Sequence, residues 1–227
     1  MSSDPEVRFA STVVVLRDGA HGVEVLLVRR ASTLAFYGGA WVFPGGRIDP
    51  TDYDRSEALD EERALSIAAS RAGSRELQEE AGLLVPPHEL AYFARWLTPP
   101  GRTRRFDTFY FSALSPSGEV KVDRGEVDDH RWLRPIAALE AHERSEIELP
   151  PPTFVTLVSL VPFTTAAEAH RILPQRGTHY VPRPCDTPDG TVYLYPGDAG
   201  YETRDPNAVG AQHRLIALGP KWRYVSA

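Results

Sequence analysis

Hydrophobic and polar positions alternate between short apolar runs and polar breaks along the first 140 residues. Residues 9–16 are apolar and β-branched and predict a strand. Asp18-Gly19 and His21-Gly22 mark a turn, and residues 23–29 predict the returning strand of a hairpin. Residues 40–43 predict a short aromatic strand ending at Pro44-Gly45-Gly46, which reads as a tight loop. Residues 49–62 carry Asp49, Asp52, Asp54, Glu57, Asp60, Glu61 and Glu62 and read as an exposed acidic insertion. Residues 63–81 favour helix, with Gly82 as a C-cap. Gly73 inside that helix costs about 1 kcal/mol against alanine, which predicts close packing there. Strands are predicted over 90–97, 105–114 and 127–133, and helices over 135–142, 153–161 and 165–173.

From residue 174 onward proline and glycine become frequent. Strands are still visible at 192–195, and at 215–218 turning through Gly219-Pro220 into 222–225. This stretch is short for an independent domain, so 174–227 is expected to be an extension packed on a main domain over 1–173. With 42% hydrophobic and 25% charged residues in a chain of 227, a globular core is expected. No apolar run reaches the roughly 20 residues that span a bilayer, so no membrane partner is expected. Residues 1–8 are polar, and Cys185 is the single cysteine, which excludes an intrachain disulfide and a cysteine-rich zinc site. A cytoplasmic location is the resulting expectation. The net charge of −6 argues against a nucleic-acid duplex as partner. It leaves open a small phosphorylated ligand whose charge a divalent cation neutralises.

The most informative stretch is Arg75-Glu76-Leu77-Gln78-Glu79-Glu80-Ala81-Gly82-Leu83. On a helix, Glu76, Glu79 and Glu80 stand at i, i+3 and i+4, so their Cβ atoms share one face. Two readings follow: a solvated acidic face, or a site for a hard divalent cation that keeps waters and meets a phosphate. Other chemistry is sparse. The seven histidines have no metal-ligand spacing, Cys185 lacks a histidine partner nearby, and Trp222 and Tyr224 fit strand packing.

Phe43-Pro44-Gly45-Gly46 together with this helix resembles the Nudix signature, G-x5-E-x7-R-E-U-x-E-E-x-G-U, where U is a bulky aliphatic residue. Gly46 takes the first glycine, and Arg75, Glu76, Leu77, Glu79, Glu80, Gly82 and Leu83 fill its second half. One position departs. The signature glutamate eight residues before the arginine is Ile67 here, whereas counting forward from Gly46 reaches Asp52. The two halves are therefore separated by an insertion. Glu126, six residues before Trp132, matches an extra glutamate that Nudix enzymes place before a similar tryptophan; Asp128 and Asp129 are its neighbours and competitors. Leu26-Leu27-Val28-Arg29-Arg30-Ala31, then Gly39 and Phe43-Pro44-Gly45-Gly46, is similar to the pattern of coenzyme A diphosphatases. Val28 and Ala35 replace that pattern's threonine and second arginine.

The resemblance covers about residues 9–140. It implies an α/β fold, the α/β/α sandwich with a mixed sheet, carrying the Pro/Gly-rich β extension. It further implies Mg²⁺ or Mn²⁺ held by Glu76, Glu79, Glu80 and the Gly46 carbonyl, and catalysis by Glu79 or Glu126 with Arg75 orienting the carboxylates. Arg30 and Arg105 are the candidate phosphate contacts. The implied substrate is a nucleoside diphosphate linked to another group, with coenzyme A or an acyl derivative leading. The alternatives are ADP-ribose or oxidised nucleotides, or a Nudix-like binding or regulatory domain impaired by the departure at Ile67. A homodimer is implied by the resemblance alone.

Overall fold

The computed structural model describes residues 6–34, 37–53 and 60–227. Its main sheet has eight strands. Strands β1 (Val7–Gly19) and β2 (Gly22–Arg30) form the expected hairpin, followed by β3 (Trp41–Val42) and β4 (Gly45–Arg47). Helix α1 (Glu61–Ala81) precedes β5 (Ala91–Leu97), β6 (Arg105–Leu114) and β7 (Val127–Leu133). Helices α2 (Pro135–Glu143), α3 (Pro151–Leu160) and α4 (Ala166–Ile172) lead to β8 (Thr178–Tyr180). The sheet runs β3-β2-β1-β6-β5-β8, with β4 also on β1 and β7 also on β2. It is mixed, because β1–β6 and β5–β8 are parallel and the other pairs antiparallel.

Helices cover both faces, which explains why β1 and β2 read as continuous apolar runs instead of alternating. Val13, Val15, Leu26 and Val28 pack with Ala69, Leu77 and Ala81 of α1. Val14, Leu16, Val25 and Leu27 point the other way, into a core shared with Ala138, Leu157, Leu160 and Ala169 of α2, α3 and α4. The result is an α/β/α sandwich. A second, four-stranded sheet is built from β9 (Arg183–Thr187), β10 (Gly190–Leu194), β11 (His213–Leu218) and β12 (Arg223–Ser226). Leu215 of β11, and Tyr195 just after β10, are buried in the same core as Trp96 and Tyr110 of the main sheet.

Several expectations change in detail. Pro44-Gly45-Gly46 is not simply a loop: Gly45 and Gly46 open β4 and pair with Thr12 and Ser11 of β1. Helix α1 starts two residues earlier than predicted, because the Asp60 side chain caps it by accepting from the Arg63 amide. The acidic stretch is not uniformly exposed. Glu61 and Glu62 form the first turn of α1, and Asp52 is only 5% exposed. Asp54, Glu57 and Ala35 lie outside the described residues. Strands β8 and β9 had no apolar run to announce them; β8 is three residues long and β9 carries a proline. The close packing expected at Gly73 is present, since a Cβ there would meet Ser11 Oγ at 2.8 Å and Val13 Cγ2 at 3.0 Å. Among the described residues no helix is long and apolar enough to cross a membrane.

Candidate active site

Pairing of β4 with β1 lays the Gly45-Gly46 backbone against the motif face of α1. The Gly45 amide donates to Glu80 Oε2 at 2.9 Å. Proximity is closest to backbone at Gly45 and to a side-chain end at Gly46. A Cβ at Gly45 would strike the Ser11 carbonyl and lie 2.8 Å from Thr12 Cα, and one at Gly46 would strike the Glu76 carboxylate. Glu80 is 4% exposed. Burial, with Glu76 and Glu126 adding negative charge, pushes its pKa up to about 8 against the opposing Gly45 amide and Arg30. Burial also raises Glu76; Arg75 opposes this, while Glu79 and Glu126 reinforce it.

Arg75 is the hub of the arrangement. Its Nε and Nη2 donate to the two oxygens of Asp52 at 3.1 and 3.0 Å. Its Nη1 donates to Glu76 at 2.8 Å and to Glu79 at 3.0 Å, and Nη2 also reaches the Arg47 carbonyl at 3.0 Å. A guanidinium has five N–H donors, so this set occupies all of them with protein acceptors. Arg75 thus ties Asp52, Glu76, Glu79 and the Arg47 carbonyl together, and the bond to Asp52 is foremost in raising its own pKa. Asp52 in turn accepts the Asp49 amide at 2.8 Å. The departure at Ile67 is thereby resolved. The acid that meets the signature arginine sits six residues after Gly46, as Asp52 in place of glutamate, and the insertion falls behind it. Counting from the glycine end locates this residue; counting back from the arginine misses it.

Glu126 is exposed just before β7, in a turn that Asp123 pins through the amides of Glu126 (3.0 Å) and Val127 (3.1 Å). Its negative charge is among the contributions that raise Glu76 and Glu80. The competitors are engaged elsewhere: Asp128 pairs with Arg29 at 2.6 Å, and Asp129 lies 4.0 Å from the same guanidinium. Arg30 acts electrostatically on Glu80. Arg105 is further away. Its Nε donates to the Thr98 carbonyl at 3.2 Å, and the β6 residue level with Ser11 and Gly46 is Phe109, four positions along, roughly 13 Å by strand rise.

Among the described residues no three acidic, histidine or cysteine side chains already converge as a cation's coordination sphere. The Glu79 carboxylate leans on Arg75 and the Glu80 carboxylate on Gly45. The donor chemistry nevertheless fits a hard divalent cation. Glu76 and Glu80 are carboxyl groups whose pKa values are raised by burial and by neighbouring acids, so a bound cation would favour their charged forms.

Fold and site together define a sandwich with a carboxylate-bearing helix clamped to a glycine strand. The NUDIX domain family matches residues 7–151, and the chain belongs to that family. It is 32% identical over 131 residues to acyl-coenzyme A diphosphatase NUDT19 of Gallus gallus, a match covering 53% of this chain and 34% of that one. It is 22% identical over 162 residues to a Caenorhabditis elegans protein bearing the name nudix hydrolase 7, covering 60% of this chain and 55% of that one. The chain thus spans about a third and about half of the lengths of these relatives. Among solved structures, a NUDIX hydrolase from Alicyclobacillus acidocaldarius superposes with a TM-score of 0.64 at 28% identity, over 74% of this chain and 97% of that one.

Proposed function

We propose that this protein hydrolyses the diphosphate bond of a nucleoside diphosphate linked to another group, with coenzyme A or an acyl-coenzyme A as the leading substrate. The observation that carries the reading is the intact Asp52–Arg75–Glu76/Glu79 hub, which keeps the carboxylate face whole despite the insertion. It also disfavours the impaired-domain reading, which rested on Ile67. The coenzyme A preference is supported by the Leu26-to-Gly46 pattern and by the similarity to acyl-coenzyme A diphosphatase. Glu76, Glu79, Glu80 and the Gly46 carbonyl would hold Mg²⁺ or Mn²⁺, which when bound neutralises charge on the diphosphate oxygens. Glu126, exposed and beside that cluster, accepts the proton of the attacking water, with Glu79 as the second candidate base. Arg75 positions Glu76 and Glu79, Arg30 faces the diphosphate, and Arg105 is left a more distant contact. From coenzyme A the products would be phosphopantetheine and adenosine 3′,5′-bisphosphate. The cytosol and a homodimeric state complete the proposal.

The test is a substrate panel of coenzyme A, acetyl-coenzyme A, ADP-ribose and NADH with Mg²⁺ or Mn²⁺, with Glu80→Gln in parallel. Metal-dependent cleavage lost in the variant is the expected result. Undiminished cleavage by Glu80→Gln would overturn the site.

A further inference from the structure

Helix α1 sits in a notch of the sheet directly beneath its carboxylates. Ser11 of β1 pairs with Gly46 of β4, so the Cβ directions of both point to the same face, toward α1. A Cβ at Gly46 would meet the Glu76 carboxylate, and one at Gly73 would meet Ser11 Oγ at 2.8 Å and Val13 Cγ2 at 3.0 Å. Gly73 and Glu76 are one turn apart on α1, and Glu80 lies a further turn along the same face. The paired strand residues thus meet the helix at successive turns. The Ser11 side chain is fully buried, and its hydroxyl has no hydrogen-bond partner among the described residues. With no bond to make, Oγ acts on α1 by contact alone. Beside Gly46, the Gly45 amide holds Glu80 Oε2 at 2.9 Å. The helix is not free to roll aside. The buried Ser74 hydroxyl donates to the Val85 carbonyl at 2.6 Å, and Leu77 and Ala81 pack with the β1 and β2 side chains.

Resting on the hydrolase reading above, we propose that Ser11 and Gly73 are positioning residues for the carboxylate site. Their contact sets the gap between α1 and the glycine strand, and with it the reach of Glu76 and Glu80. Ordinary contact starts at about 3.4 Å, so a methyl group at Gly73 lacks roughly 0.6 Å of room over Ser11 Oγ. Turning the Ser11 hydroxyl aside still leaves Val13 Cγ2 at 3.0 Å. The helix must therefore withdraw, and close-packed interiors transmit such strain instead of absorbing it. Carried to Glu80, the shift takes its bond with the Gly45 amide from 2.9 Å to about 3.5 Å, the limit at which a hydrogen bond is lost. Glycine at 73 is the poorer helix former, so the helix accepts a local penalty to keep its carboxylates at the strand.

The test follows hydrogen exchange of the Gly45 amide by NMR in the metal-free full chain, and Mn²⁺ affinity by calorimetric titration, with Tm alongside. In Gly73→Ala the Gly45 amide should exchange about 10- to 100-fold faster, as expected when a bond to a carboxylate is lost. Mn²⁺ affinity should fall about 10-fold or more. In the Ser11→Ala background, where Oγ is gone, the same change should lower either quantity by no more than about threefold. Ser11→Thr narrows the gap from the strand side and takes the place of Gly73→Ala where that variant fails to fold. A merely structural contact moves Tm and leaves Gly45 exchange and Mn²⁺ affinity at wild-type values, which overturns the proposal. An equal loss with and without the Ser11 hydroxyl overturns it too, because the effect would then come from alanine itself. The hydrolase reading fails separately. A wild-type chain that binds no Mn²⁺ sinks the metal site, while Gly45 exchange still decides the role of Ser11 and Gly73. Wild-type Mn²⁺ binding with unchanged exchange in Gly73→Ala does the reverse.

Discussion

Replacing Asp52 by alanine tests the hub directly. The carboxylate holds two of the five donors of Arg75 at 3.1 and 3.0 Å and one backbone amide at 2.8 Å, and it is 5% exposed. Removing one partner of a buried ion pair costs about 3–5 kcal/mol. The Arg75 side chain is 27% exposed, so water takes up part of the loss, and about 2–3 kcal/mol is expected. In a chain of this length that lowers Tm by roughly 4–12 °C, measurable by calorimetry. The released guanidinium also loses its anchor on the loop, so Glu76 and Glu79 lose their fixed positions. Perturbing such outer partners of ligating residues typically costs 10- to 100-fold in metal affinity or activity. Asp52→Glu restores the family's residue and should keep stability and activity close to wild type, whereas Ile67→Glu should gain neither. An Asp52→Ala protein with wild-type Tm and metal-dependent activity would refute this account. So would rescue of that variant by Ile67→Glu, because the acid partner would then belong to the helix.

The two glycines should separate fold from site. Gly45→Ala collides with backbone and should destabilise by about 1–3 kcal/mol in urea unfolding. Gly46→Ala collides only with the movable Glu76 carboxylate and should reduce metal affinity with a smaller change in stability, read by titrating Mn²⁺. In the extension, Asp198 and Arg214 form a buried two-bond pair at 2.7 Å, with the Gly200 and His213 amides also donating to Asp198. Burial raises the Asp198 pKa, but Arg214 and these amides outweigh it and leave the pKa below its ordinary value of 3.8. A depressed acid stabilises the fold above its unfolded pKa and loses that contribution as pH falls through the folded one. Asp198→Asn should therefore cost about 3–5 kcal/mol between pH 5 and 7, with the gap to wild type narrowing below about pH 4; a gap independent of pH would count against the pair.

Most of the sandwich was legible because its strands are buried on both faces and its helices are bounded by strong signals. Gly82 ends α1 in a left-handed conformation (φ 68°) and Pro135 starts α2, whereas α3 starts at Pro151, two residues before the predicted start at 153, because proline fits the first turn of a helix. What escaped were elements defined by partners distant in sequence. Strand β4 has no side-chain pattern; it exists because glycine lets β1 and α1 approach from opposite sides. Strand β8 is only three residues long and is fixed by its parallel pairing with β5. At the site, the glutamates of the motif were readable from helical spacing. The tie of Asp52 to Arg75 was not, because it joins residues 23 apart in sequence across the insertion.

The insertion shows which constraint the signature encodes. Twenty-two residues separate Asp52 from Arg75, where the pattern has seven. If the added chain were fully flexible, closing the longer loop would cost about 1 kcal/mol more, since the penalty grows only with the logarithm of length. Part of it is helical and packs Ala68, Ala69 and Ala72 in buried positions, which lowers that cost further. The Asp52–Arg75 fork is worth more than this difference, so it closes the loop whatever the spacing. The glutamate-to-arginine interval is therefore a statement about contact, and a chain that keeps the contact can lengthen the interval without surrendering the carboxylate face. The same reasoning sets the order of sensitivity: substitutions at Asp52, Arg75 or Gly46 should damage the site far more than changes within residues 61–67, whose side chains are at most half-buried.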